Sequence, residues 1–157
     1  MKLRPGITVG QLVSEMGRCG VLGAGRLADA VQIMAEMFRD PEYTVFLTMA
    51  GPMIPGGLRG IVGALLDEEY VNAVVASGAN IVHDIVEGLG YRGVRGSFRA
   101  DDKMLRGKGI GRAGDIYFEQ EGFEALEETV HRIFDRLADG GVSRMSINEL
   151  LLEIGKD

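Results

Sequence analysis

The sequence predicts an α/β fold in which a parallel sheet is flanked by helices. The prediction rests on residues 44–89, which contain the same unit twice: a short apolar strand, a loop of small residues and a helix. The strands are the runs TVFLTMA and VNAVVA, whose near-continuous apolar character is typical of strands buried on both faces. A parallel pair needs a crossover connection, and a helix predicted over residues 53–66 supplies it.

The bulk composition indicates one folded domain. The chain has 157 residues, 46% of them hydrophobic, which is enough for a sizeable core. We predict N-terminal helices over 1–40, a strand–loop–helix core over 43–118 and C-terminal helices over 119–157. The net charge of −6 argues against nonspecific nucleic-acid binding. No apolar run has transmembrane length, and the single Cys19 cannot form an internal disulfide, so we expect a cytoplasmic protein away from membranes.

Basic residues cluster in one segment of this acidic chain. A solvated loop and helix face explains such a cluster, and contact with an anion or an acidic partner is the alternative. The residues are Arg92, Arg95, Arg99, Lys103, Arg106, Lys108 and Arg112.

The N-terminal region predicts two helices. Thr8 is placed to cap the first, which ends at the glycines following Met16. Gly23, Gly25 and Ala28 then match the G-x-G-x-x-A form of the dinucleotide fingerprint, but too few apolar residues precede them for a strand. We therefore interpret these glycines as the turn into a helix that ends before Pro41. The apolar face predicted for that helix is Leu27, Ala30, Val31, Met34 and Phe38.

Two loops are candidate ligand sites because ligands of parallel sheets bind beyond the carboxyl ends of the strands. In the first, residues 50–57, glycines let a ligand approach the backbone closely, although a tight turn alone explains them equally well. In the second, residues 77–84, His83 and Asp84 are predicted to lie just inside the first turn of a helix, where free N–H groups and the helix dipole favour an anion. A structural histidine and a favourable helix charge are the alternatives.

The rest of the chain predicts a glycine- and arginine-rich stretch with a short helix at 101–106, a third strand at 115–118 and a long amphipathic helix. Ser146 and Glu149 form a capping box before a last helix. The sequence has no P-loop, nucleophile elbow or metal-ligand spacing, and none of its lysines lies in an apolar run. From the residues alone we predict a ligand-binding domain without a visible catalytic group.

Several segments, in order along the chain, resemble the N-terminal half of the deoxyhypusine synthase family. They are PG-x-TV at 5–9, FLTMAGPMIPGGLRG at 46–60, SGANIVHD at 77–84, DD-x-x-LR at 101–106, GI-x-R-x-GD at 109–115 and SI-x-ELL-x-EIGK at 146–156. The resemblance implies a Rossmann-like fold, NAD as cofactor, and transfer of the aminobutyl group of spermidine to a lysine of a translation initiation factor precursor. It also implies a tetrameric plan with sites at subunit interfaces.

The resemblance further implies which residues face NAD. With Gly57 and Asn80 from the same loops, the predicted cofactor-binding residues are Ala50, Gly51, Pro52, Pro55, Gly57, Ser77, Gly78, Ala79, Asn80, His83 and Asp84. Better-known members carry hydroxyl and amide side chains in the first loop and an acidic residue at the position of His83. The present pattern resembles an archaeal and bacterial branch, in which homospermidine formation or other aminobutyl transfers are alternative activities.

In the family, the catalytic lysine and the amine-binding acids lie in a C-terminal half that these residues do not match. We therefore expect a separate lysine-bearing chain to complete the site in a hetero-oligomer, with His83 as an auxiliary group at most. A half-sheet also exposes apolar surface, which predicts an obligate oligomer. The alternative is a noncatalytic module that binds a nucleotide or regulates a full-length relative.

Overall fold

Residues 4–157 are described by a computed structural model. The helices are α1 Val9–Cys19, α2 Leu22–Arg39, α3 Arg59–Asp67, α4 Gly78–Gly88, α5 Asp102–Arg106, α6 Gln120–Asp139 and α7 Ile147–Gly155, with a π-helical turn at Ile54–Leu58. The strands are β1 Phe46–Met49, β2 Ala73–Ala76, β3 Val94–Arg95, β4 Ile110–Ala113 and β5 Ile116–Glu119. The chain forms two compact units, the first up to Leu47 plus Gly63–Val75 and the second Thr48–Val62 plus Ala76–Asp157.

Helix α1 begins with the predicted cap. The Gln11 N–H donates to the Thr8 hydroxyl at 3.2 Å, and the Thr8 N–H donates to the Gln11 side chain at 3.0 Å. This reciprocal capping box satisfies two N–H groups that the helix itself cannot. The helix ends at Gly20, whose φ of 66° is the left-handed conformation that glycine adopts without a steric penalty.

The glycines that resemble a dinucleotide fingerprint lie inside α2, so their interpretation as a turn before the helix is wrong. The helix begins at Leu22, and a Cβ at Gly25 would lie 2.8 Å from the backbone of Gly20. Close contact between α1 and α2 therefore explains the small residue. Gly17 of α1 also lies close to the Ala28 side chain of α2. The two helices therefore pack together through small residues. The predicted apolar face is largely open, with Leu27 and Met34 each 48% exposed.

Strands β1 and β2 form a two-stranded sheet. The Asn72 N–H donates to the Val45 carbonyl at 2.9 Å and the Ser77 N–H to the Met49 carbonyl at 3.2 Å, so both strands run in the same direction. The prediction of strands buried on both faces is wrong for the described residues, since Phe46 is 61% exposed. The apolar runs identified the strands, but burial also needs flanking layers, and the described part of the chain does not cover them.

The predicted third strand belongs to a separate antiparallel sheet with the order β3-β5-β4. A tight turn at Gly114, with a φ of 64°, joins β4 to β5 and pairs Ala113 with Ile116. Because β5 pairs with β3 on one edge and with β4 on the other, it has no free edge with which to extend the parallel pair. This sheet corrects the predicted topology, and the sequence patterns did not predict β3 and β4.

The core of the second unit lies between α4, α6 and this antiparallel sheet. Val86 and Ile133 are each 1% exposed, and Phe118 is 5% exposed. Gly122 lets α6 approach α4, because a Cβ there would lie 2.9 Å from Tyr91 and 3.2 Å from Val86. The predicted capping box starts α7, and no helix among residues 4–157 is long and apolar enough to cross a membrane.

We expect the substitution Gly25→Ala to destabilise the chain by about 1 to 3 kcal/mol, because the new methyl group overlaps the backbone of Gly20 and forces α1 away from α2. Gly23→Ala, in the same helix turn, is the matched control, since a Cβ there meets nothing within 4 Å. It is expected to leave stability unchanged or raise it slightly. Urea unfolding measures both, and equal effects would contradict the proposed contact.

Candidate functional site

A buried asparagine joins the two loops that follow β1 and β2. The Asn80 side chain is 1% exposed, and its Oδ1 accepts the Ile54 N–H at 3.3 Å. Its Nδ2 donates to the Ser77 hydroxyl at 3.1 Å. One amide therefore fixes the start of the π-helical turn against the start of α4. The sequence placed Asn80 among the cofactor contacts, and the structure gives its side chain this internal bridging position.

The first loop presents backbone rather than side chains. Gly51 and Gly57 have φ values of 67° and 97°, conformations that side chains other than glycine rarely adopt. A Cβ at Gly51, Gly56 or Gly57 would meet nothing within 4 Å, so the space beside these glycines is open. Gly57, inside the π-helical turn, has non-helical backbone angles and so interrupts the helix that the sequence predicts as continuous over 53–66; α3 begins only at Arg59.

The N-terminus of α4 offers free backbone donors in the second loop. Ser77 is the residue before the helix, but its hydroxyl accepts from Asn80 and makes no capping bond to the backbone. The first N–H groups of a helix have no intrahelical acceptor, so those of Gly78 and Ala79 are suited to an anionic group. A Cβ at Gly78 would meet nothing within 4 Å, which leaves the approach open. The open glycines and the uncapped helix end fit a phosphate-containing cofactor.

Asp84 pairs with an arginine that the sequence patterns did not indicate. Helix α4 begins at Gly78, so Asp84 lies in its second turn, beyond the predicted first-turn position. The Arg59 Nε donates to the Asp84 carboxylate at 2.6 Å, and this bond raises the pKa of Arg59. Both side chains are about half exposed, so solvent limits the pair to about 1 kcal/mol or less. Its effect is positional, because it holds the start of α3 beside α4.

His83 lies against aromatic rings rather than at the loops. Its ring centroid is 4.5 Å from that of Phe118 and 5.9 Å from that of Phe123. Its Nδ1 is buried and has no hydrogen-bond partner among the described residues. Burial lowers the pKa of His83, with Glu87 acting weakly in the opposite direction. A neutral ring with its proton on Nε2 fits these surroundings, because an unprotonated Nδ1 needs no acceptor.

The structure divides the predicted site residues into two groups. The loop group surrounds the Asn80 bridge and consists of Ala50, Gly51, Pro52, Pro55, Gly57, Ser77, Gly78, Ala79 and Asn80. His83 and Asp84 form the other group, on the second turn of α4. Arg59, Phe118 and Phe123 are the neighbours that sequence reasoning missed. They are separated by 25 or more residues from the groups they contact, so no local spacing signals them.

Comparison with known proteins identifies the family. The family model described as "Deoxyhypusine synthase" matches residues 11–157. The chain is 41% identical to "Probable deoxyhypusine synthase" of Methanothermobacter thermautotrophicus, over 99% of this chain and 50% of that protein. It is 40% identical to "Probable deoxyhypusine synthase 1" of Methanosarcina mazei, over 99% of this chain and 48% of that protein. The chain belongs to the deoxyhypusine synthase family and spans about half the length of these curated relatives.

We expect Asn80→Ala to destabilise the chain by about 1 to 3 kcal/mol and to accelerate hydrogen exchange at the Ile54 amide, which loses its buried acceptor. Ser77→Ala is the matched control, because it removes the other partner of Asn80 and leaves the Ile54 bond in place. NMR exchange rates at Ile54 distinguish the two variants. Equal protection of this amide in both would contradict the bridge.

The buried position of His83 predicts a pH-dependent stability. Because the folded state lowers the pKa of His83, it binds fewer protons than the unfolded chain, whose histidine titrates near about 6.5. This contribution to stability is fully present above that pH and is lost progressively as the pH falls from there through the lower pKa of the folded state. Urea unfolding at several pH values should show a slope that His83→Gln removes. The exposed His131→Gln variant is the control, and an undiminished slope in His83→Gln would refute the assignment.

Proposed function

We propose that this chain is the NAD-binding half of a deoxyhypusine synthase-like enzyme. The reaction is the NAD-dependent transfer of the aminobutyl group of spermidine to a lysine of the translation initiation factor precursor. The observation that carries the proposal is the pair of glycine-containing loops held together by Asn80, in a chain that the family model matches over residues 11–157. In this proposal β1 and β2 are the first strands of a larger Rossmann-like sheet.

The proposed role of this half is to bind and orient NAD, which supplies the hydride-accepting chemistry when bound. The N–H groups of Gly78 and Ala79 would receive an anionic part of the cofactor. Ala50, Gly51 and Pro52 would contact the cofactor through the backbone, since they carry no side-chain hydrogen-bonding group. Asn80 would act by holding the two loops in register.

His83 is proposed as a packing group beside the cofactor site. Its pKa is lowered and its Nδ1 is enclosed, so a neutral imidazole is favoured at neutral pH. Its ring contacts Phe118 and Phe123, which fixes its orientation. Asp84, paired with Arg59, would shape the same side of α4.

The catalytic lysine and the amine-binding acids are proposed to come from a separate C-terminal-half chain. The supporting observation is that the curated relatives are about twice as long as this chain. The exposed apolar side chains of the two-stranded sheet, Phe46 at 61% and Val75 at 56%, are suited to contact with that chain. We propose a hetero-oligomer built on the tetrameric plan of the family.

A noncatalytic nucleotide-binding or regulatory module is the second candidate function. The observation that favours it is the first loop, where Ala50, Gly51 and Pro52 provide no polar side chain and Asn80 is turned inward. A homospermidine synthase-like or other polyamine aminobutyl transferase subunit would share the proposed NAD site. The other aminobutyl transferase differs from the main proposal in the amine substrates, and the noncatalytic module differs in having no turnover.

The test of the proposed function compares this chain alone with this chain co-expressed with a lysine-bearing C-terminal-half chain. We expect NAD binding by calorimetry in the complex. We also expect aminobutyl transfer from radiolabelled spermidine to the initiation factor precursor only in the complex. Transfer by this chain alone would refute the division of the site. NAD binding without aminobutyl transfer to the precursor or to a free amine would support the noncatalytic module.

A matched pair of variants tests where NAD binds. Gly78→Val places a side chain at the open N-terminus of α4 and is expected to weaken NAD binding about tenfold or more. Gly10→Val makes the same change in the first turn of α1, where a Cβ also meets nothing within 4 Å. It is expected to leave NAD affinity unchanged. Equal affinities of the two variants would place the cofactor elsewhere.

A further inference from the structure

The second unit carries a concentrated basic surface that the proposed cofactor site does not use. Residues 91–112 contain seven of the chain's 17 basic residues and two of its 23 acidic residues. The remainder of the chain is therefore strongly acidic. This segregation is informative because mixed charges, rather than a block of one sign, are typical of a surface that only maintains solubility.

Both acidic residues of the segment are already engaged. Asp101 caps α5 by accepting the Lys103 N–H at 2.8 Å. Asp102 accepts from Nε and Nη2 of Arg112 at 2.9 and 3.1 Å, and Arg112 also donates to the Gly114 carbonyl at 2.8 Å. Arg112 is thereby a structural group that ties α5 to the β4–β5 turn.

The other six basic side chains are exposed and have no acidic partner among residues 4–157. We call them the basic face, and they are Arg92, Arg95, Arg99, Lys103, Arg106 and Lys108. They belong to β3, α5 and the loops beside them. Six like charges in 17 residues repel one another, so an anionic partner would relieve an existing electrostatic cost.

Exposed apolar side chains alternate with these charges. Phe98 is 70% exposed, Val94 59% and Met104 52%. The Phe98 ring contacts the β4–β5 turn, lying 3.2 Å from the position of a Cβ at Gly114. An exposed aromatic ring among cations is typical of a protein-binding surface, where aromatic residues and arginine are enriched.

A cavity of about 370 Å³ opens at the same surface. Leu105, Ile110 and Phe123 give it an apolar lining, while Arg106 and Arg112 contribute its cationic side. Since Arg112 is occupied by Asp102, the charge left for a ligand is that of Arg106. Such a cavity suits a side chain with an apolar stem next to a carboxylate.

We propose that the basic face is the docking surface for an acidic segment of a partner protein, one in which carboxylates alternate with apolar side chains. Carboxylates pair with the six cations, and apolar side chains cover Phe98 and Met104 and enter the cavity beside Arg106. A nucleic acid fits less well, because a long polyanion would extend from this short face onto the acidic remainder of the chain. The proposal is independent of NAD binding, since none of these residues belongs to the two loops.

The first measurement is fluorescence anisotropy of the chain with a labelled dodecapeptide of repeated Glu-Leu-Glu. We expect binding that weakens as salt rises from about 50 to about 200 mM. A Gln-Leu-Gln peptide should not bind, and a Glu-Ser-Glu peptide should bind more weakly than Glu-Leu-Glu. Equal binding of the charged and uncharged peptides would overturn the proposal.

Paired charge reversals locate the contact. Arg99→Glu combined with Arg106→Glu is expected to weaken peptide binding about tenfold or more. Arg26→Glu combined with Arg39→Glu makes the same change in net charge on α2 and is expected to leave binding within about twofold. Phe98→Ser should weaken binding without changing its salt dependence. Circular dichroism and thermal unfolding confirm that each variant is folded before titration.

Three results would overturn the proposal. Equal losses in the two charge-reversal pairs would show that net charge, not the basic face, attracts the peptide. Tighter binding of a single-stranded RNA dodecamer, lost in the Arg99→Glu and Arg106→Glu variant, would assign the face to nucleic acid. Self-association in sedimentation that this variant abolishes would make a second copy of the chain the occupant.

Discussion

The geometry of the candidate site depends on one buried amide. Asn80 is buried from solvent. It accepts a hydrogen bond from the Ile54 N–H of one loop and donates one to the Ser77 hydroxyl of the other. An aliphatic side chain at this position would leave the Ile54 N–H buried without an acceptor, and a carboxylate would bury a charge. The two loops therefore keep a fixed relation because separating them leaves polar groups unsatisfied.

The hydrogen bond from Asn80 to the Ser77 hydroxyl has a second consequence. A serine before a helix ordinarily caps it, which would occupy one of the first N–H groups. Here the hydroxyl accepts from Asn80 and makes no capping bond, so the N-terminus of α4 keeps its donors and its positive dipole end. The contact that holds the loops together is thus also the one that leaves the helix end available to an anion.

Sequence reasoning succeeded where a local pattern decides the structure. The cap at Thr8, the capping box at Ser146 and the strands around residues 46–49 and 73–76 all follow from spacing within a few residues. It failed where distant residues decide. The pairing of β3 with β5, the exposed faces of the two-stranded parallel sheet, and the Arg59–Asp84 bond each depend on segments far apart in the sequence. The glycines of α2 were wrongly predicted to form a turn, because a tight turn and close helix packing both favour glycine.

The first loop illustrates why the loss of polar side chains does not decide whether a cofactor binds. A hydroxyl or amide contributes one hydrogen bond, whose net value is about 1 kcal/mol. Glycine and alanine remove that bond but expose backbone N–H and C=O groups that a larger side chain would shield. Gly51 and Gly57 lie in left-handed conformations beside open space, so the backbone there is accessible to a ligand. Recognition of a cofactor in such a site depends on the geometry of the loops. That geometry depends in turn on the buried side-chain amide of Asn80.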